Sequence, residues 1–208
     1  MKYQPPPLLK GRKKLLKTIF MKILSALVSR PVIASLAFCL FMLAVPVISY
    51  SESPQVREYG IKAAYLLNFA KLTEWPSGTF ASHENAFIIG ILGNDPFGRR
   101  LDLLRDRTVG GRRVVIKSID NISESSACDL LFIASSESDR LQQIIAYVRK
   151  KPVLTVSDIA GFENSGGIIA FFLKDDHVRF RINIDAARRA NLNISSHLLE
   201  LAEIVREK

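Results

Sequence analysis

The run Phe87-Ile88-Ile89-Gly90-Ile91-Leu92 carries no charge and ends at Gly93-Asn94-Asp95-Pro96. Six residues between turn formers suit a strand, and the absence of polar alternation means that both of its faces must be covered. Val114-Val115-Ile116, Leu130-Leu131-Phe132-Ile133-Ala134 and Pro152-Val153-Leu154-Thr155-Val156 repeat the pattern. Between them lie helical spacings: Phe97, Leu101 and Leu104, then Leu141, Ile144, Ile145 and Val148 after Glu137. Strands alternating with helices pair in parallel through right-handed crossovers.

The last part changes character. Ile168–Leu173 and Val178–Ile184 flank only Lys174-Asp175-Asp176-His177, a connection so short that it forces an antiparallel hairpin. In the second strand Val178, Phe180, Ile182 and Ile184 point inward, and Arg179, Arg181 and Asn183 outward. Ser195 or Ser196 is placed to cap a closing helix with Leu198, Leu201, Ala202 and Val205 on its buried face. The expected fold is α/β: a three-layer sandwich around a mixed, mostly parallel sheet of about six strands with a C-terminal antiparallel hairpin.

Ahead of the strands the spacing predicts a helix over 55–74, stopped by Trp75-Pro76. Val56, Tyr59, Ala63, Leu66, Leu67 and Ala70 share one face of it, and Ile61, Tyr65, Phe69 and Leu72 the opposite one. A helix apolar on two faces must bury both. Either it is sandwiched within its own chain, or the second stripe meets a partner or another copy.

The formal charge of +9 suggests nucleic acid at first sight, but it is unevenly spread. Eight of the 29 Lys and Arg residues fall in the first 50 positions, with none of the 20 Asp and Glu, so the remainder is nearly neutral. A nucleic-acid binder needs its excess charge on the folded body, which excludes that class here. From Pro31 to Ser51 there is no charge, and the segment is almost continuously apolar behind its basic flank. That order marks an export signal over residues 1–51, from Met1 or from a second start at Met21. It is either cleaved near Val47-x-Ser49 or Ser49-x-Ser51, or kept as an anchor. Both place the body, residues 52–208, outside the cytoplasm as a single periplasmic domain. Phe38 before Cys39 argues against a lipoprotein. A body of about 157 residues buries roughly 70% of its unfolded surface and needs no staples.

No cofactor or metal is called for by the residue pattern. His83, His177 and His197 stand at no ligand spacing, and His177 belongs to the hairpin turn. Gly90-Ile91-Leu92-Gly93-Asn94-Asp95 lacks the third glycine of a dinucleotide turn and sets an acid where phosphate would approach. Cys128, the single cysteine of the body, has no base near it in sequence and reads as a structural thiol. Ser135-Ser136-Glu137 reads as a helix cap, and no nucleophile elbow or phosphate loop occurs.

The segments together resemble the YfiR/HmsC-like family. Tyr59-Gly60-Ile61-Lys62-Ala63-Ala64-Tyr65-Leu66-Leu67-Asn68-Phe69-Ala70-Lys71-Leu72-Thr73-Glu74-Trp75-Pro76 is similar to its opening helix, and Ile89–Gly98 to its first strand and turn. Cys128–Ile133, Val153–Asp158, Gly161-Phe162, Phe180–Ala187 and Leu192–Ser196 follow in the family order. The resemblance runs from about Arg57 to Arg206. It implies a periplasmic regulatory protein rather than an enzyme. Such a protein represses an inner-membrane diguanylate cyclase by binding its periplasmic sensor domain, which lowers cyclic di-GMP and restrains biofilm formation. It also implies relief by an OmpA-type outer-membrane lipoprotein, and a homodimer. Cys128 falls on a family cysteine position without a second cysteine to pair with.

The partner surface expected from helical angle alone is Ile61, Tyr65, Phe69 and Leu72. Two alternatives remain at this point. One is a small-ligand sensor with a pocket near Gly93, Asp95 and Gly161. The other is an unfamiliar enzyme, a hydrolase using Cys128 or Asp158.

Overall fold

The computed structural model describes residues 17–23, 53–81 and 84–207. The charge-free segment expected to direct export and both cleavage candidates lie outside the described residues, as do His83 and Cys39. Residues 17–23 are helical and exposed, and they belong to a unit separate from Glu52–Lys208. Among the described residues no helix is long and apolar enough to cross a membrane.

The body opens with helix α1 (Pro54–Lys71). Ser53 caps it, its hydroxyl accepting from the Val56 N–H, and Pro54 occupies the first turn, where a missing N–H costs nothing. The helix ends three residues earlier than its apolar spacing predicts. Thr73–Glu74 instead form strand β1, which pairs antiparallel with β9 (Asn193–Ile194), Thr73 opposite Ile194. The pairing satisfies backbone groups that a longer helix would have kept to itself.

Eight further strands make one sheet. In chain order they are β2 (Ala86–Leu92), β3 (Thr108–Val109), β4 (Arg112–Ile119), β5 (Leu130–Ile133), β6 (Leu154–Ser157), β7 (Ile169–Lys174), β8 (His177–Asn183) and β10 (Glu203–Val205). Across the sheet they run β10-β8-β7-β6-β5-β2-β4-β3. The pairs among β4, β2, β5, β6 and β7 are parallel, as alternation with helices demands. The β7–β8 hairpin is antiparallel, and its two-residue turn puts Asp175 and Asp176 at φ 51° and 57°. Two successive left-handed residues make the tight turn whose twist matches the strands.

Side chains of β2 and β5 alternate between two cores. Phe87, Ile89, Ile91, Leu130 and Phe132 join Leu66 and Phe69 of α1 on one face. Ile88, Leu92, Leu131 and Ile133 join helix α2 (Leu141–Val148) on the other, through Leu141, Ile144, Ile145 and Val148. The three layers are therefore those the uncharged strands require.

The large sheet has two strands beyond the expected six or so, β3 and β10, and β10 replaces a predicted helical turn. Ser195 does cap a helix, its hydroxyl accepting from the Leu198 N–H, but α4 is only Ser196–Glu200. Leu201 is 60% exposed, and Glu203–Val205 lie parallel to β8 with Ile204 opposite Ile182. The open edge of β8 takes a backbone partner, and Arg181 Nε donates to Glu203 Oε2 at 3.0 Å across it. Asn183, expected to point outward, is fully buried. Its Oδ1 accepts from the Ala186 N–H at 2.8 Å and caps α3 (Ile184–Arg189), which ends the strand one residue early.

Candidate functional site

Helix α1 is the element on which the sequence places a partner surface, and its burial is not centred where the stripes predict. The buried side chains are Lys62, Ala63, Leu66, Phe69 and Ala70, an arc that takes in much of the first stripe and reaches through Lys62 to Phe69 at the near edge of the second. Phe69, taken as a partner residue from its helical angle, is fully buried. It packs against Phe171 of β7 and Phe180 of β8, with ring centroids 5.5 and 4.9 Å apart. Tyr65 is half-buried, stacked on Phe69 at 5.6 Å and edge-on to Phe180 at 5.3 Å. Leu72 is half-buried against the same core. Ile61 alone of the four is exposed, at 43%. The aromatic hairpin rises under α1, so the stripe is satisfied largely within the chain.

Lys62 is the residue that sequence reasoning missed. It lies between the two apolar stripes, where a lysine is ordinarily solvated, yet it is 3% exposed. Its Nζ lies 2.6 Å from Glu58 Oε1 and 2.6 Å from Asp158 Oδ2, at the end of β6. The Tyr59 hydroxyl donates to the same Asp158 oxygen at 2.8 Å, and burial together with that bond raises the phenol's pKa. Asp158 Oδ1 is buried without a hydrogen-bond partner. A buried ammonium held by two carboxylates is a clamp between helix and sheet, with its charge already neutralised. The i,i+4 pair of Glu58 and Lys62 was visible in sequence, whereas Asp158 comes from almost a hundred residues away.

The crevice beside the ends of β2 and β5 is where a sheet of this order offers a ligand site. Here it is filled. Gly93 stands at φ 90°, and a Cβ on it would lie 2.5 Å from Ser136 Oγ and 2.8 Å from Glu137 Cγ. Ser136 Oγ accepts from the Asn94 N–H at 2.9 Å, and Glu137 is held by Arg140 Nε at 3.0 Å. Asp95 Oδ1 accepts from the Phe97 N–H at 2.8 Å, closing a turn on its own backbone. Gly161 sits at φ 73° in a separate turn.

Cys128 is 3% exposed, with Sγ against the backbone of Gly90. Burial, with the Asp129 carboxylate beside it, pushes its thiol up to about 12. A thiol so protonated at neutral pH makes a poor nucleophile. Among the described residues no group of three metal-ligating side chains converges.

A family model described as YfiR/HmsC-like matches residues 59–203. Among solved structures, a conserved domain protein from Vibrio cholerae O1 biovar El Tor str. N16961 is similar at 10% identity and a TM-score of 0.49, over 70% of this chain and 60% of that one. The ABC domain from Streptococcus pneumonia, solved in complex with L-Trp, is similar at 9% identity and a TM-score of 0.45, over 73% and 60%. The chain thus spans about 60% of the length of each. A search of curated proteins finds no match.

Proposed function

Because this chain belongs to the YfiR/HmsC-like family, we propose that it represses an inner-membrane diguanylate cyclase by binding the cyclase's periplasmic sensor domain. Membership supports a periplasmic, regulatory role in general, and the family match over most of the body is the observation that carries the reading. The chemistry of the body agrees with it. Its cysteine is buried and protonated, the half-buried Asp158 is tied to Lys62 and Tyr59, and its strand-end crevice is filled by Ser136 and Glu137. These groups are committed to holding the fold, which suits a rigid binding module.

Repression then works by linkage. A chain that binds the inactive form of the cyclase more tightly than the active form shifts the population by that difference, about 1.4 kcal/mol for each tenfold. An OmpA-type outer-membrane lipoprotein that sequesters the repressor restores activity, and the repressor acts as a homodimer. Cyclic di-GMP falls while the complex persists, and biofilm formation with it.

The test is intracellular cyclic di-GMP in a strain lacking this chain, beside its parent. The expected result is a rise that disappears when one membrane-bound cyclase is also deleted. An unchanged level, or a rise that survives deletion of every membrane-bound cyclase singly, overturns the reading.

A further inference from the structure

One side of α1 is left open by the body's own packing. Gly60, Ala64, Leu67 and Lys71 recur at i, i+4, i+7 and i+11, so they line a single side of the helix. They form one wall of a groove of about 300 Å³ whose other wall is the 3-10 segment Gly98–Leu104 with Arg107 beyond it. Gly60 and Ala64 carry so little side chain that the groove reaches close to the helix backbone. A Cβ on Gly60 would find nothing nearer than Arg100 Cδ at 3.9 Å. On the opposite rim Leu103 is 74% exposed.

The groove is apolar in its walls and basic at its edges. Lys71, Arg100 and Arg107 line it, and no acid does. Arg100 is held in place by two backbone carbonyls: its Nε donates to Val56 O at 2.8 Å and its Nη1 to Phe97 O at 3.0 Å. Among the described residues none of these three cations forms an ion pair with a carboxylate. Exposed Arg57 continues the same side of the helix toward its N-terminus.

We infer that this groove is the docking surface for the protein partner, and that its occupant is an acidic amphipathic helix. The inference rests on the repressor reading for the identity of that partner. Shape favours a helix, because the Gly60–Lys71 stripe is about 16 Å long, roughly three helical turns, and small residues on one helix receive the ridge of another. Charge selects an acidic one. Three uncompensated cations attract carboxylates placed beside an apolar ridge and repel a basic helix. Leu103 and Leu67 supply the apolar contact that gives such a helix its grip.

The exported chain, recovered from the periplasm, is titrated with the purified periplasmic domain of the cyclase identified by the deletion experiment. The expected result is that Leu103→Asp, and separately Lys71→Gln with Arg107→Gln, each weaken binding at least about tenfold, and that the double glutamine variant is less sensitive to salt. Melting temperatures stay at the parental value, since all three side chains are exposed. Lys150→Gln with Arg179→Gln removes the same charge elsewhere on the exposed surface and leaves affinity unchanged. Full affinity in both groove variants overturns the docking inference alone, as does an equal loss in the control pair. Sedimentation showing that Leu103→Asp splits a dimer of this chain, with cyclase affinity kept, assigns the groove to a second copy and also overturns it. No binding by the unaltered chain overturns the repressor reading, and the docking inference with it.

Discussion

Lys62 Nζ lies 2.6 Å from Asp158 Oδ2, joining the first helix of the body to the end of β6 across 96 positions of sequence. The pair is shielded by Tyr59, whose ring the ammonium overlies at 4.3 Å, and it is completed by Glu58. Helix α1 is therefore held by a charge in its buried face as well as by Leu66 and Phe69. Its orientation decides which of its residues the surface presents.

Breaking that pair on one side strands a half-buried carboxylate. Lys62→Met is expected to cost about 1–3 kcal/mol, since Asp158 then loses its counter-ion. Lys62→Met with Asp158→Leu should cost clearly less than the sum of the single changes. Urea denaturation of the four proteins measures this coupling. Additive losses would mean that the pair contributes no more than its separate packing.

The two ends of the predicted partner stripe should behave oppositely. Phe69→Ala opens a cavity beneath Phe171 and Phe180 and is expected to cost about 3–5 kcal/mol. Ile61→Asp, on the exposed side, should change stability by less than about 0.5 kcal/mol. Equal denaturation midpoints for the two variants would contradict the burial of Phe69.

Gly90 and Cys128 fit as a pair. A Cβ on Gly90 would sit 2.5 Å from Cys128 Sγ and 3.0 Å from Ile119 Cγ1. Gly90→Ala is expected to destabilise by about 1–3 kcal/mol, and Cys128→Ala in the same chain to recover part of it by clearing the sulfur. A double-mutant cycle in urea reads the recovery, and strict additivity would rule out the contact.

The Cys128 thiol also makes a pH prediction. Its pKa stands near 12 in the folded chain against an ordinary value of 9, so the folded state holds the proton more tightly. Its contribution is complete below about 9 and is lost as pH climbs through about 12. Stability should fall from about pH 8 to about pH 11 more steeply in the parent than in Cys128→Ala. Parallel slopes would show that the thiol titrates alike in both states. At pH 7 the native thiol should resist disulfide reagents that label the urea-unfolded chain at once.

Sequence by itself determined the layered plan. The unbroken apolar strand Phe87–Leu92 needs cover on both faces, the helical spacings between strands need parallel pairing, and the short Asp175-Asp176 connection needs a hairpin. These are local rules, and each can be read within a dozen residues. The family was legible for the same reason, because its motifs follow one another in order along the body.

Tertiary structure decided what local rules leave open. Helical angle marks Phe69 and Ile61 alike as apolar, but only the hairpin rising under α1 buries the first and leaves the second in water. Leu201, Ala202 and Val205 keep helical spacing, yet the unpaired edge of β8 draws Glu203–Val205 into the sheet. Lys62 looks solvated until Asp158 arrives from the far side of the fold. In each case the deciding group is distant in sequence, and a residue's periodicity carries no information about it.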